Sequence, residues 1–231
     1  MIFEFCIEDF EALKSAEKRG IKRVELCSAL SVGGLTPSLG MIRKCSDHTN
    51  VEVHVLLRPR EGDFNYSDDE FEIIKSDLVV AAYAGAKGVV VGCLSAEGEI
   101  DLEKNKELLL LAKSMKMEIT FHRAFDFCSD PFIALEKLIE LGFDRILTSG
   151  QEESAEKGFT LLKRLVNQSQ GRIQIMAGGQ VNENNAMMVA ASGVDALHFS
   201  VHAKQLEPLN SMGGKNDINE EKINGIVGLF D

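Results

Sequence analysis

One short pattern recurs four times along the chain: a glycine, an apolar residue, Lys or Asp, a variable residue and a second apolar residue. The copies are Gly20-Ile21-Lys22-Arg23-Val24, Gly85-Ala86-Lys87-Gly88-Val89, Gly142-Phe143-Asp144-Arg145-Ile146 and Gly193-Val194-Asp195-Ala196-Leu197. Each glycine ends a stretch with helical spacing, where a left-handed cap suits a residue without a Cβ. Each copy then runs into a short apolar segment, a strand candidate. Successive copies are separated by enough chain for two strand–helix units, so the four copies predict eight units. Strands are expected at 2–6, 23–27, 51–58, 88–92, 118–122, 145–148, 172–177 and 196–200. Helix starts are equally readable. Ser67 and Glu70 make a capping box ahead of Phe71, Ile74, Leu78 and Ala82. Asp130 precedes Pro131, a favoured first helical residue. Asn182 is placed to cap a helix carrying Ala186, Val189 and Ala190, and Ile223, Ile226, Val227 and Phe230 mark a last helix over 219–230. Strict alternation of strand and helix implies a parallel sheet with right-handed crossovers. Eight units close into a single (β/α)8 TIM barrel of the α/β class, with an open doubly wound sheet as the alternative. The 231 residues suit one barrel domain over 1–231, with 203–218, rich in Asn, Gly and charge, read as a loop.

Composition narrows the partners. A net charge of −11 argues against nucleic acid and anionic membrane surfaces. No apolar run approaches the length of a membrane span. The opening segment lacks a basic region and already carries Glu4, unlike a secretory signal. Five irregularly spaced cysteines without a C-x-x-C pair fit reduced thiols in a cytoplasm.

Strand side chains alternate between two faces, and in a barrel the face meeting the helices must be apolar. Phe3, Phe5, Val24, Leu26, Val53, Val55, Leu57, Ile119, Phe121, Leu197 and Phe199 are assigned to that face. The inward set is then Glu4, Cys6, Glu25, Cys27, His54, Leu56, Arg58, Thr120, His122, Gln174, Met176, His198 and Ser200. Strands four and six are too uniform to assign. Most of the ionisable inward residues end their strands, at the face where barrels place chemistry. Buried charges must pair or reach a solvated pocket, so a purely structural ion-pair network is the competing interpretation.

Several constellations could carry chemistry. Arg58-Pro59-Arg60 presents two forked donors to a carboxylate or phosphate, although Arg60 could equally pair with Asp63. His122 is suited to proton transfer, with Arg123 beside it and Asp126 near enough in sequence to orient or pair with either. Gly178 and Gly179 let backbone N–H groups approach an anion. Thr148, Ser149 and Gly150 could add donors or form an ordinary turn. Cys6 and Cys27 end neighbouring strands on one face and could hold a soft cation such as Cu(I) with His122, His198 or Met176, or could pack as small hydrophobes. Cys45, Cys93 and Cys128 lack partners at ligand spacing.

At these segments the sequence resembles the CutC copper homeostasis family. The resemblance rests on Glu25-Leu26-Cys27, Gly33-Gly34-Leu35-Thr36-Pro37-Ser38, Arg58-Pro59-Arg60-Glu61-Gly62-Asp63-Phe64, Thr120-Phe121-His122-Arg123-Ala124-Phe125-Asp126, Leu147-Thr148-Ser149-Gly150, Gly178-Gly179 and His198-Phe199-Ser200. It extends to about residue 201. It implies a cytoplasmic barrel, often a homodimer, linked to copper handling and copper binding. Ala177 and Gln180 stand where the family usually has Pro and a third Gly, and Val201-His202 where it has a small residue and Arg. The tail is also shorter than usual.

Two functions follow as expectations. The first is copper homeostasis with Cu(I) held by Cys6 and Cys27. The second is a barrel enzyme acting on a small anionic, perhaps phosphorylated, metabolite. It would use His122, Glu25 and Asp126 in acid–base roles, with Arg58, Arg60, Arg123, Gly178, Gly179, His198 and Ser200 around the ligand.

Overall fold

The computed structural model describes residues 1–48, 50–203 and 217–230. Eight parallel strands run β1 Ile2–Ile7, β2 Arg23–Leu26, β3 Glu52–Leu56, β4 Gly88–Val91, β5 Glu118–Phe121, β6 Arg145–Thr148, β7 Gln174–Ala177 and β8 Ala196–Ser200. They pair in sequence order, and β8 closes on β1. The helices are α1 Phe10–Lys18, α2 Leu39–Ser46, α3 Asp68–Tyr83, α4 Leu102–Ser114, α5 Pro131–Leu141, α6 Phe159–Ser169, α7 Ala186–Ala190 and α8 Glu220–Val227. The expected (β/α)8 barrel is therefore the observed one. Among the described residues no helix is long and apolar enough to cross a membrane.

Local chemistry sets the boundaries. Asp9, Ser38, Asp101 and Asn219 each accept a backbone N–H from the first turn of the helix that follows. Ser67 and Glu70 form the full capping box, and Asp130 caps α5 ahead of Pro131. The four signature glycines all have positive φ, between 67° and 96°, as their role at helix ends requires. Asn182 is a correction: α7 starts after Asn185, and the Asn182 side chain accepts from the Asn184 amide instead of capping the helix. Most of the loop expected over 203–218 lies outside the described residues.

The pairing register sorts the interior into staggered layers of alternate strands, the usual barrel arrangement. At the floor lie Arg23, Gly88, Arg145 and Ala196, which are the variable positions of the four-fold pattern. Above them come Glu4, His54, Thr120 and Met176, then Glu25, Val90, Leu147 and His198. Cys6, Leu56 and His122 follow at the mouth. Every residue assigned to the helix-facing side packs in or against the main hydrophobic core. Among the described residues two small apolar clusters form inside the barrel, Cys6, Cys27, Leu56 and Val90 on one side and Leu147, Met176 and Ala196 on the other. Charged side chains fill the space between them.

The floor is internally paired. Arg23 bonds Glu4 and points Nη2 at the Met176 sulfur, 3.8 Å away. Arg145 donates to Glu118 at 2.5 Å, to Thr120 at 3.1 Å and to Gln174 at 3.3 Å. Strand four serves both halves by lacking side chains where they would matter. A Cβ on Gly88 would sit 2.4 Å from the His54 ring, and one on Gly92 would sit 2.6 Å from His122 Nδ1. The uniform strand that sequence parity could not assign thus seats two imidazoles.

Candidate functional site

The carboxyl-terminal ends of the strands surround a cavity of about 340 Å³, within the range of small-ligand sites. Cys6 from β1 and Cys27 just after β2 bring their sulfurs to 3.5 Å. Cys6 Sγ also lies 3.3 Å from Glu25 Oε2, and Cys27 Sγ lies 3.4 Å from the Ile7 carbonyl oxygen. His198 sits between two carboxylates, with Nδ1 2.9 Å from Glu4 and Nε2 3.5 Å from Glu25. The Cys6 sulfur, a Glu25 oxygen and a His198 nitrogen all fall within 4.8 Å of one another. Soft sulfur, imidazole and carboxylate donors therefore converge on one point.

The electrostatics follow from this contact set. Burial alone would raise Glu4, but the His198 hydrogen bond and the Arg23 charge outweigh it and hold the carboxyl well below its usual range. Among the described residues no arginine pairs with Glu25, and burial raises it despite the His198 charge. Burial opposes protonation of His198, yet its contacts with Cys6, Glu4 and Glu25 push it well above the usual imidazole value. The hydrogen bond with Cys27, then burial, drive the Cys6 thiol upward. For Cys27 the Cys6 contact pulls down, and burial with the Glu25 charge overcomes it.

The other expected residues divide. Arg58, His122, Arg123, Gly179 and Ser200 line the cavity with Cys6, Glu25 and His198. Arg58 commits its two terminal nitrogens to the carbonyls of Val32 at 2.9 Å, Gly34 at 3.0 Å and Gly62 at 2.9 Å, stitching two loops together, while its Nε is buried with no hydrogen-bond partner among the described residues. Arg60 leaves the mouth altogether and pairs with Glu70 and Asp63, because the loop turns its side chain toward the start of α3. Asp126 does not touch His122. It accepts from Arg123 Nε at 2.7 Å and from Thr148, Ser149 and Gln151, tying the segment after β5 to the loop after β6. Gly178 packs under Leu147 and His198 without facing the cavity. His122 Nδ1 accepts the Ala124 amide at 3.1 Å; burial, helped by the Arg58 charge, pushes its pKa down to about 3.

Sequence reasoning missed Phe64, whose ring lies 4.9 Å from that of His122, and Lys222 of α8, which reaches the Ser200 carbonyl at 2.7 Å and lines the cavity. It also missed Arg23 and Arg145, although the four-fold pattern contains both.

Comparison with known proteins agrees with the motif resemblance. The model of the CutC family matches residues 1–203. A CutC family protein of Glaesserella parasuis is 44% identical over 98% of this chain and 98% of its own length. One from Vibrio vulnificus is 49% identical, covering 85% of this chain and 79% of the relative. Among solved structures, CutC of Streptococcus agalactiae, named for copper homeostasis, superposes with a TM-score of 0.80 at 35% identity, over 86% of this chain and 97% of that one. Deoxyribose phosphate aldolase from Aeropyrum pernix superposes at 0.66 with 14% identity, over 85% of this chain and 84% of that one, a likeness of fold alone. A family model matching residues 1–203, with relatives aligned over most of the chain, places this chain in the CutC family.

Proposed function

We propose that this protein serves copper homeostasis by binding Cu(I) at the thiol pair of Cys6 and Cys27, with His198 and Glu25 beside it. The observation that carries this reading is the 3.5 Å approach of the two sulfurs at a mouth where an imidazole and a carboxylate also converge. Thiolates select Cu(I) over harder ions, and imidazole is a compatible third donor. Glu4 would hold His198 by Nδ1 and leave Nε2 for the ion, an orienting arrangement common around metal-bound histidines. Both thiols are held protonated in the free protein, so uptake releases protons and strengthens with rising pH. Five irregularly spaced cysteines without a C-x-x-C pair support a reducing, cytoplasmic setting; a homodimer rests on the family resemblance.

The alternative, acid–base catalysis, has less support. Arg58 and Arg60 are committed to protein partners, and Asp126 orients Arg123 rather than His122. The test is a competition titration of Cu(I) against a colorimetric chelator. The double variant Cys6→Ser, Cys27→Ser should lose affinity by orders of magnitude, and His198→Gln by at least about tenfold. Unchanged affinity in the double variant would sink the thiol site.

A further inference from the structure

The mouth holds a donor that copper binding does not use. His122 Nδ1 accepts the Ala124 amide, so the ring is neutral and its proton sits on Nε2. Gly92 covers the Nδ1–Cε1 edge of the ring. The Nε2 edge is left, buried, with no hydrogen-bond partner among the described residues. A buried donor without an acceptor is costly, and because His122 lines the cavity while its Nε2 is closed off, a small shift of the ring or its neighbours lets a ligand oxygen take that bond. Phe64, Leu147 and Val181 give the cavity apolar walls. Beside Arg58, two side chains bring positive charge to it: Arg123, whose Nε and Nη2 are fixed by Asp126 and Ser149, and Lys222, which gives a bond to the Ser200 carbonyl. Burial pushes the Lys222 ammonium below its usual value, a cost that a neighbouring anion would offset.

We propose that the barrel mouth binds a compact organic oxyanion, a phosphate monoester or carboxylate of metabolite size, with His122 Nε2–H donating to one oxygen, Phe64 and Val181 against the carbon frame, and Arg123 and Lys222 facing the charge. His122 acts here as a fixed neutral donor. A carbon frame and a charged end both fit a cavity of about 340 Å³. The site is separate from the thiol pair in its donors, and its occupation requires no copper.

The experiment is calorimetric titration of the metal-free protein, in the presence of a chelator, with glycerol 3-phosphate, 3-phosphoglycerate and malate. The three probes separate phosphate from carboxylate recognition. At least one should bind saturably, with the His122→Phe variant weaker by roughly tenfold or more, the value of one hydrogen bond to a charged group. Lys222→Met should weaken the same probe severalfold. In wild-type protein with nitrogen-15 histidine, saturation should move the His122 Nε2 resonance, a readout that needs no variant to fold. Absence of saturable binding by all three probes, or a His122 Nε2 signal that stays in place at saturation, overturns the proposal. Because copper is absent throughout, the result stands or falls apart from the Cu(I) site.

Discussion

Glu4 and Glu25 are buried carboxylates in successive layers of one barrel, and they meet opposite fates. Glu4 sits against Arg23 and His198 and is held well below the usual carboxyl range. Glu25 has only the far side of His198 and the Cys6 thiol, and burial raises it. The histidines repeat the contrast. His54 leans on Gly88 of β4 and His122 on Gly92 just after it, and each is pushed down to about 3 chiefly by burial. His54 is enclosed in the floor with Glu118 3.7 Å away, whereas His122 faces the cavity. The floor and the mouth thus draw on the same residue types. In the floor Arg23 and Arg145 pair with Glu4 and Glu118; at the mouth Cys6, Glu25 and His198 converge beside the cavity. That difference separates a structural ion-pair network from the proposed binding site above it.

If burial, rather than position, keeps the two imidazoles neutral, His54 and His122 should behave alike in acid. Their folded pKa values lie below the unfolded value of about 6.5, so the stability they contribute is present above pH 6.5 and lost as pH falls toward 3. Each contributes roughly 1.4 kcal/mol per pH unit within that window, the largest effect expected here. Urea midpoints measured from pH 7 to 4.5 should show His54→Leu and His122→Leu each flattening the acid limb by one proton relative to wild type. A flattening from only one of them would mean that the other imidazole is charged in the native state.

Arg23→Met probes the paired floor directly. It leaves Glu4 buried beside His198 alone, and breaking a buried pair from one side typically costs about 3–5 kcal/mol. Glu25→Gln, at the mouth, should change stability by no more than about 1 kcal/mol, since no arginine among the described residues pairs with Glu25. Equal losses in the two variants would erase the distinction between floor and mouth.

How much of this was legible beforehand depended on whether a residue's role was set locally. The barrel followed from the four-fold pattern because helix caps and strand alternation are local, repeated signals. The convergence of Cys6, Glu25, His122 and His198 followed from parity. Arg23 and Arg145 escaped because an arginine at the start of a strand reads as exposed; only the layer stacking shows each beside a carboxylate. Strands four and six gave parity nothing to sort. Arg58 looked like an anion clamp, since its three carbonyl partners come from loops whose course no sequence rule fixes. Lys222 reaches the mouth from the last helix, a tertiary placement with no motif.

The smallest effect separates Gly88, which opens β4, from Gly92, which follows it. Alanine at Gly88 or Gly92 would place a methyl within 2.4–2.7 Å of a buried imidazole ring, and overpacking of that kind costs about 1–3 kcal/mol. Gly40→Ala is the control, because a Cβ there meets nothing within 4 Å and alanine is the better helix former; it should be neutral or slightly stabilising. Gly88→Ala displaces His54 within the floor and should cost stability alone. Gly92→Ala displaces His122 and should cost a similar amount of stability while also weakening the oxyanion probe. Thermal midpoints and the metal-free titration, run on the same two variants, separate these outcomes. If Gly88→Ala weakened the probe as much as Gly92→Ala, the two histidines would be mechanically coupled through β4, and floor and mouth could no longer be treated as independent layers.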